Sequence, residues 1–265
     1  MIATSTRFKE DEAAIQEREQ QLMSFLTGGS RVAIRTFCQR LPELPKAAYP
    51  RALVGMGYLY ESFDLMFAEI ATSIQETHDE SDYVARYHTM QNVLRPFASE
   101  FGIEPNQPLL NPHRKLYLDF YKRVTGESWP LHYPAASNEP WLKCGRRWTN
   151  VMLSNLRRSD LSLIDKAKYN LGYHWSVEFL SVGEFDELKI GWNTIGISAP
   201  YLDAHCEVEE EHAGCASAAI ANFTSVDDPL VIRGIRDHED DLIGFYSECT
   251  ELIGKECSTP IGTAT

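Results

Sequence analysis

The sequence predicts an all-α fold, a bundle of about seven to nine helices, on three observations. Long stretches are rich in helix formers and place apolar residues at helical spacing. Helix punctuation falls between these stretches, as in Gly28-Gly29, Pro42/Pro45 and Pro112. No segment alternates polar and apolar residues around a hairpin turn.

The elements follow in chain order. Residues 8–27 form a first helix that stops at Gly28-Gly29. A short helix over 31–41 ends before Pro42. An apolar stretch over 49–74 reads as one long helix, closed by the polar break at Thr77–Asp79. Asp79 or Ser81 caps the next helix, which runs to Gly102 and carries Pro96 inside it, the position of a kink. After the loop IEPNQPLLN, Pro112 opens the helix HRKLYLDFYKRV. Three prolines in 126–140 make that segment a loop. Helices then cover 140–155, 160–182 (ending near Gly183), 184–195, 200–222 (capped by Ser198) and 227–256. Residues 1–258 read as one domain and 259–265 as a disordered tail.

The chain has 265 residues, enough for a sizeable core, and is 43% hydrophobic and 24% charged. A net charge of −13 argues against nucleic acid or an anionic membrane as partner, since Lys and Arg hold phosphate. No apolar run has the length of a membrane span, and residues 1–20 lack the apolar core of a signal peptide. Six cysteines without a CxxC pair fit reduced thiols in the cytoplasm.

The chemistry concentrates in YLDAHCEVEEEHAGCASAAIANF, residues 201–223. His205, Glu209 and His212 stand at i, i+4 and i+7, so one helix face carries all three. Two imidazoles flanking a carboxylate are a metal-ligand face, and the small residues that follow admit a close neighbouring helix. The plainer alternative is a solvated acidic helix with two incidental histidines. A ferritin-like di-iron bundle needs two Glu-x-x-His motifs, whereas only Glu209–His212 supplies one; the HExxH of a zincin is absent.

The order E…H…E…HxxxExxH resembles the heme-oxygenase-like di-iron oxidases and oxygenases. The unit MQNVLRPFASEFGIEPNQPLLNPHRKLYLDFYKRVTG resembles their first two ligand helices and offers Glu100 and His113. NLGYHWSVEFLSVGEF resembles the third element and offers Glu178. The resemblance spans roughly residues 30–225. It implies a heme-oxygenase-type helical fold and metal ligands Glu100, His113, Glu178, His205, Glu209 and His212. The family more often has Asp where Glu209 stands, which leaves Glu210 open as the alternative, and the loop between Glu100 and His113 is longer than usual.

The resemblance further implies two Fe(II) ions per chain, O2 as co-substrate, a small-molecule substrate and an external electron donor. The substrate is expected to be an amino acid or carboxylate of a biosynthetic pathway. The outcome is N-oxygenation, desaturation or C–C cleavage; a homodimer is one assembly open to the chain.

Around this set, His174 precedes Glu178 by one helical turn and reads as a donor to that carboxylate, against the commoner role of a core histidine. Tyr201 opens the ligand helix one turn before His205 and is expected to line the site. Arg114, Arg146, Arg147, Arg233 and Arg236 are candidates to hold a substrate carboxylate, with Arg146-Arg147 at a pocket rim. His78, His88, His132 and His238 receive no role. Cys215 offers a second reading, a thiaminase-II-like hydrolase with a cysteine nucleophile, weighed against a small buried thiol. A third is a non-catalytic helical binding protein. Heme chemistry is disfavoured because no histidine precedes His78.

Overall fold

A computed structural model describes residues 12–103, 108–134 and 137–258, without the side chains of residues 12 and 206–210. Ten α-helices lie among the described residues, more than the seven to nine expected. They are α1 (Glu12–Met23), α2 (Gly29–Arg40), α3 (Tyr49–Glu61), α4 (Phe63–Gln75), α5 (Tyr83–Glu100), α6 (His113–Thr125), α7 (Pro140–Leu156), α8 (Leu163–Thr194), α9 (Pro200–Phe223) and α10 (Pro229–Ser258). Two 3₁₀ turns, Leu41–Glu43 and Lys46–Ala48, join α2 to α3. The first and last segments of the chain, including the expected tail 259–265, lie outside the described residues.

Two boundaries differ from the sequence reading for local reasons. The stretch 49–74 is two helices, because Ser62 turns back on the chain. Its hydroxyl donates to the Tyr58 carbonyl (2.8 Å) and meets Thr149 Oγ1 (3.1 Å), which breaks the helix between Glu61 and Phe63. Conversely, 160–182 and 184–195 are the single helix α8, which runs straight through Gly183. One glycine costs a helix about 1 kcal/mol, and burial along both flanks outweighs it. α5 likewise continues past Pro96 as one helix. Asp82, not Asp79 or Ser81, caps it by accepting from Ala85 N (2.8 Å), and Ala199 rather than Ser198 occupies the N-cap of α9.

α8 is the axis of the molecule, packed by α10, α9, α2 and α4. Ten consecutive residues, Tyr169–Glu178, are buried, so this part of α8 has no solvent face. The core divides into two clusters. One gathers Phe37, Leu53, Tyr117, Phe185 and Tyr246 from α2, α3, α6, α8 and α10. The other gathers Phe67, Val93, Trp175, Val177 and Ile220 from α4, α5, α8 and α9. α8 passes from the second cluster to the first between Val177 and Phe185.

The α8–α10 crossing is a backbone-to-backbone contact: a Cβ on Gly234 would stand 2.1 Å from the Tyr169 carbonyl oxygen. Gly234→Ala is therefore expected to cost about 1–3 kcal/mol in urea unfolding, as overpacking does. Gly183→Ala, where nothing lies within 4 Å of the added atom, is expected to stabilise by up to about 1 kcal/mol. Equal effects of the two would refute this account of the crossing.

Among the described residues no helix is long and apolar enough to cross a membrane. Cys38, Cys144, Cys215, Cys249 and Cys257 are free thiols.

Candidate functional site

A cavity of about 320 Å³ opens where the two core clusters abut. Its wall carries Glu100 at the end of α5, His113 at the start of α6, Glu178 and Phe185 on α8, and Tyr201 and His205 on α9. Each position follows from its element. The α5–α6 connection brings the last residue of one helix beside the first residue of the next, so Glu100 Oε2 meets His113 Nδ1 at 3.0 Å. The buried stretch of α8 presents Glu178 to the opposite wall, 3% exposed. Small residues on α9 let it lie close along α8, which carries His205 and His212 inward.

Residues far apart in sequence thus converge. The rings of His113 and His205 lie 4.4 Å apart between centroids, and His205 stacks on Phe185 at 3.9 Å. Glu178 accepts from His174 Nε2 on Oε1 (3.2 Å), and its Oε2 faces His212 Nδ1 at 3.6 Å. Of the expected ligand set, Glu100, His113, Glu178, His205 and His212 therefore form one neighbourhood. The side chains of Glu209 and its alternative Glu210 lie outside the described residues, although both positions belong to α9. Among the described residues no three His, Cys, Asp or Glu side chains form a closed cluster around one metal position.

The protonation pattern has physical causes. His205 Nδ1 donates to the Tyr201 carbonyl (2.8 Å), which fixes the tautomer and leaves Nε2 as a lone-pair donor. Burial, then the nearby charge of His113, lowers His205 to about 3, so the imidazole is neutral at ordinary pH. Burial raises Glu178, but the hydrogen bonds and charges of His174 and His212 outweigh it and hold the carboxyl below its ordinary range. Three imidazoles and two carboxylates are a donor set suited to iron.

His174 stands where the sequence reading puts it, fully buried against Glu178, with its ring edge-on to Phe67 at 5.4 Å. Tyr201 lines the cavity and serves His205 through its backbone carbonyl. Arg114 is the one arginine of the five candidates in the cavity wall, paired with Glu61 (2.9 Å) and lying over Trp129 (4.6 Å). Arg146 and Arg147 line a separate shallow hollow instead of the expected rim; Arg146 donates to the Pro134 carbonyl and Arg147 pairs with Glu248. Arg233 pairs with Asp237 and Arg236 with the Phe25 carbonyl, both on the surface. His78, His88 and His132 are exposed. His238, placed by sequence in a polar stretch, is buried on α10 and bonds Ser176 Oγ at 2.9 Å. Cys215 is buried and burial pushes its thiol up, the opposite of an activated nucleophile.

Sequence reading missed Tyr60, Glu61 and Asp64, which the cavity includes. Burial, then the charges of Glu100 and Glu61, pushes Asp64 up to about 6 against the pull of Arg114. The available signal was the acidic interruption YESFD inside an otherwise apolar stretch.

No family model matches this chain, and no curated protein does. Two crystal structures of a CADD-like protein of unknown function from Nostoc punctiforme are similar in fold. One has a TM-score of 0.67 at 14% identity and covers 91% of this chain and 98% of that chain. The other has a TM-score of 0.68 at 13% identity, covering 94% and 100%. At such identities the likeness shows the shared helical fold.

Proposed function

We propose that this chain is a heme-oxygenase-like, non-heme di-iron enzyme that uses O2 to oxidise a small metabolite, an amino acid or carboxylate. The supporting observation is convergence. Glu100, His113, Glu178 and His205, contributed by α5, α6, α8 and α9, line one cavity, and His212 faces Glu178. Glu209, one turn from both histidines of α9, completes the expected six ligands. Two ferrous ions bound by these residues would supply electrons for the reduction of dioxygen.

The chain's own residues do the rest. Tyr201 presents His205 in the ligating tautomer. His174 holds Glu178 Oε1 and so fixes the carboxylate plane. Phe67, Phe185 and Val177 keep the cavity wall dry. Arg114 supplies the cationic edge against which a substrate carboxylate docks, and the reductant comes from outside the chain. N-oxygenation, desaturation and C–C cleavage all fit this arrangement.

The test is anaerobic addition of Fe(II) to metal-free protein, followed by exposure to O2. Uptake of about two irons per chain and oxygen consumption are expected. No iron uptake, with activity that Cys215→Ser abolishes, would move the assignment to the hydrolase. No iron and no activity would leave a binding protein. His174→Phe keeps an aromatic ring against Phe67 and removes the bond to Glu178. It is expected to weaken Fe(II) binding about 10–100-fold in equilibrium titration, and unchanged affinity would remove His174 from the site.

A further inference from the structure

A second cavity of about 450 Å³ lies on the other side of α8, between α1, α2, α8 and α9, with Glu19, Arg31 and Glu184 in its wall. A chain of hydroxyls links the walls of the two cavities. Tyr60, in the wall of the first cavity, meets Tyr246 Oη at 3.0 Å. Tyr246, fully buried on α10, donates in turn to Glu184 Oε1. Either tyrosine can donate to the other, so once Glu184 carries a proton the chain runs from Glu184 to Tyr246 and from Tyr246 to Tyr60.

We propose that Tyr60, Tyr246 and Glu184 form a proton relay that carries a proton from the second cavity to the candidate site. The relay rests on the reading of the first cavity as a reaction site. When O2 is reduced to water with electrons from a substrate and an external donor, oxygen takes up more protons than the substrate's amine, hydroxyl or C–H group releases, so the reaction draws protons into the first cavity. The proton of the Glu184 carboxyl goes to Tyr246 Oη, the Tyr246 hydroxyl proton to Tyr60 Oη, and the Tyr60 proton to the site. One O–H bond breaks and one forms at each tyrosine, and no electron moves. Water in the second cavity then returns a proton to Glu184.

Two properties suit the groups to this task. Burial raises both phenols well above their ordinary value, so each stays a neutral hydroxyl that passes a proton on and keeps its own place in the chain. Burial raises Glu184 to about 7 against the hydrogen bond from Tyr246, close to the point of equal uptake and release. The other titratable or charged groups about Glu184 are Cys38 and Arg31 on α2 and Glu19 on α1. Arg31 is turned to Glu187 at 3.4 Å. A carboxyl buried at this point of α8 carries a desolvation cost that an apolar residue would avoid.

The test compares wild type, Tyr246→Phe and Glu184→Gln. In metal-free protein, the infrared carboxylic band that Glu184→Gln removes is expected to shift in Tyr246→Phe; a band that does not move refutes the chain. Fe(II)-loaded samples are then mixed with O2 in H2O and D2O. Both variants are expected to fold and to bind iron like wild type. Their oxygen uptake is expected to be slower, about 100-fold at full effect, with an altered solvent isotope effect. Normal iron content with unchanged rate and isotope effect overturns the relay and leaves the di-iron reading standing. Absence of iron uptake in wild type overturns that reading, and the relay as its proton route falls with it.

Discussion

His205→Ala and His212→Ala are each expected to reduce Fe(II) uptake from about two irons per chain to less than one, and to abolish oxygen consumption. Each histidine answers to a different part of the site. His205 stands beside His113 and is oriented by the Tyr201 carbonyl, so its loss removes an imidazole already held as a donor. His212 faces Glu178 Oε2, so its loss leaves that carboxylate with His174 alone. Loss of a group one bond removed from a metal costs about 10–100-fold in affinity, and loss of a ligand costs more. His88→Ala, on the exposed face of α5, is the matched control and is expected to bind iron normally. Iron counted by chromogenic chelation after gel filtration, with circular dichroism to show that the helices persist, decides the matter. Retention of two irons by both variants would refute the site.

These expectations were legible in sequence to unequal degrees. The trio on α9 needs only helical geometry, because residues at i, i+4 and i+7 share a face wherever the helix packs. Glu100 and His113 are adjacent in space only because the α5–α6 connection folds back, as Gly102 (φ 71°) and the Leu110 N–Gly102 O bond allow. That is tertiary information, which the family resemblance supplied and spacing did not. His174 was legible because a turn of helix links it to Glu178.

Glu184 was not legible, and Tyr60 and Asp64 only through the acidic break YESFD. Each looks like an ordinary residue of its helix until three or four helices close around it. The same holds for the break at Ser62, a back-bond no propensity scale weighs, and for Gly183, whose helical fate was decided by burial on both sides. His238 was misplaced because its neighbours Arg236, Asp237, Glu239 and Asp240 are charged, whereas its own face of α10 packs on Ser176 and Tyr173.

The same buried groups set how stability responds to acid. In metal-free protein the expected curve is nearly level from about pH 6 to 4.5 and falls steeply below about pH 4. Burial lowers His205 and His238 from 6.5 to about 3, so the unfolded chain binds their protons first, and stability is lost as pH falls from 6.5 towards 3. Each contributes at most about 1.4 kcal/mol per pH unit in that interval. Burial first raises Glu184 to about 7 and Asp64 and Asp241 to about 6; these bind protons in the folded state, so stability is gained as pH falls from those values to the unfolded range. Asp64 is only half-buried and its share is smaller. Two losing and three gaining groups nearly offset each other down to about pH 4.5. Below that, the acids are protonated in both states and their gain ends. The histidines continue to destabilise, and Glu178, held low by His174 and His212, now joins them. Glu187 and Asp228, held low by arginine and lysine partners, act in the same direction. Guanidinium unfolding at pH 7, 5.5, 4.5 and 3.5 traces the curve. His238→Gln is expected to flatten its acid limb by up to about 1.4 kcal/mol per pH unit, because the amide keeps a partner for Ser176 and has no proton to gain. A steady decline beginning at pH 6.5, or an acid limb that His238→Gln leaves unchanged, would mean that these groups do not control acid unfolding.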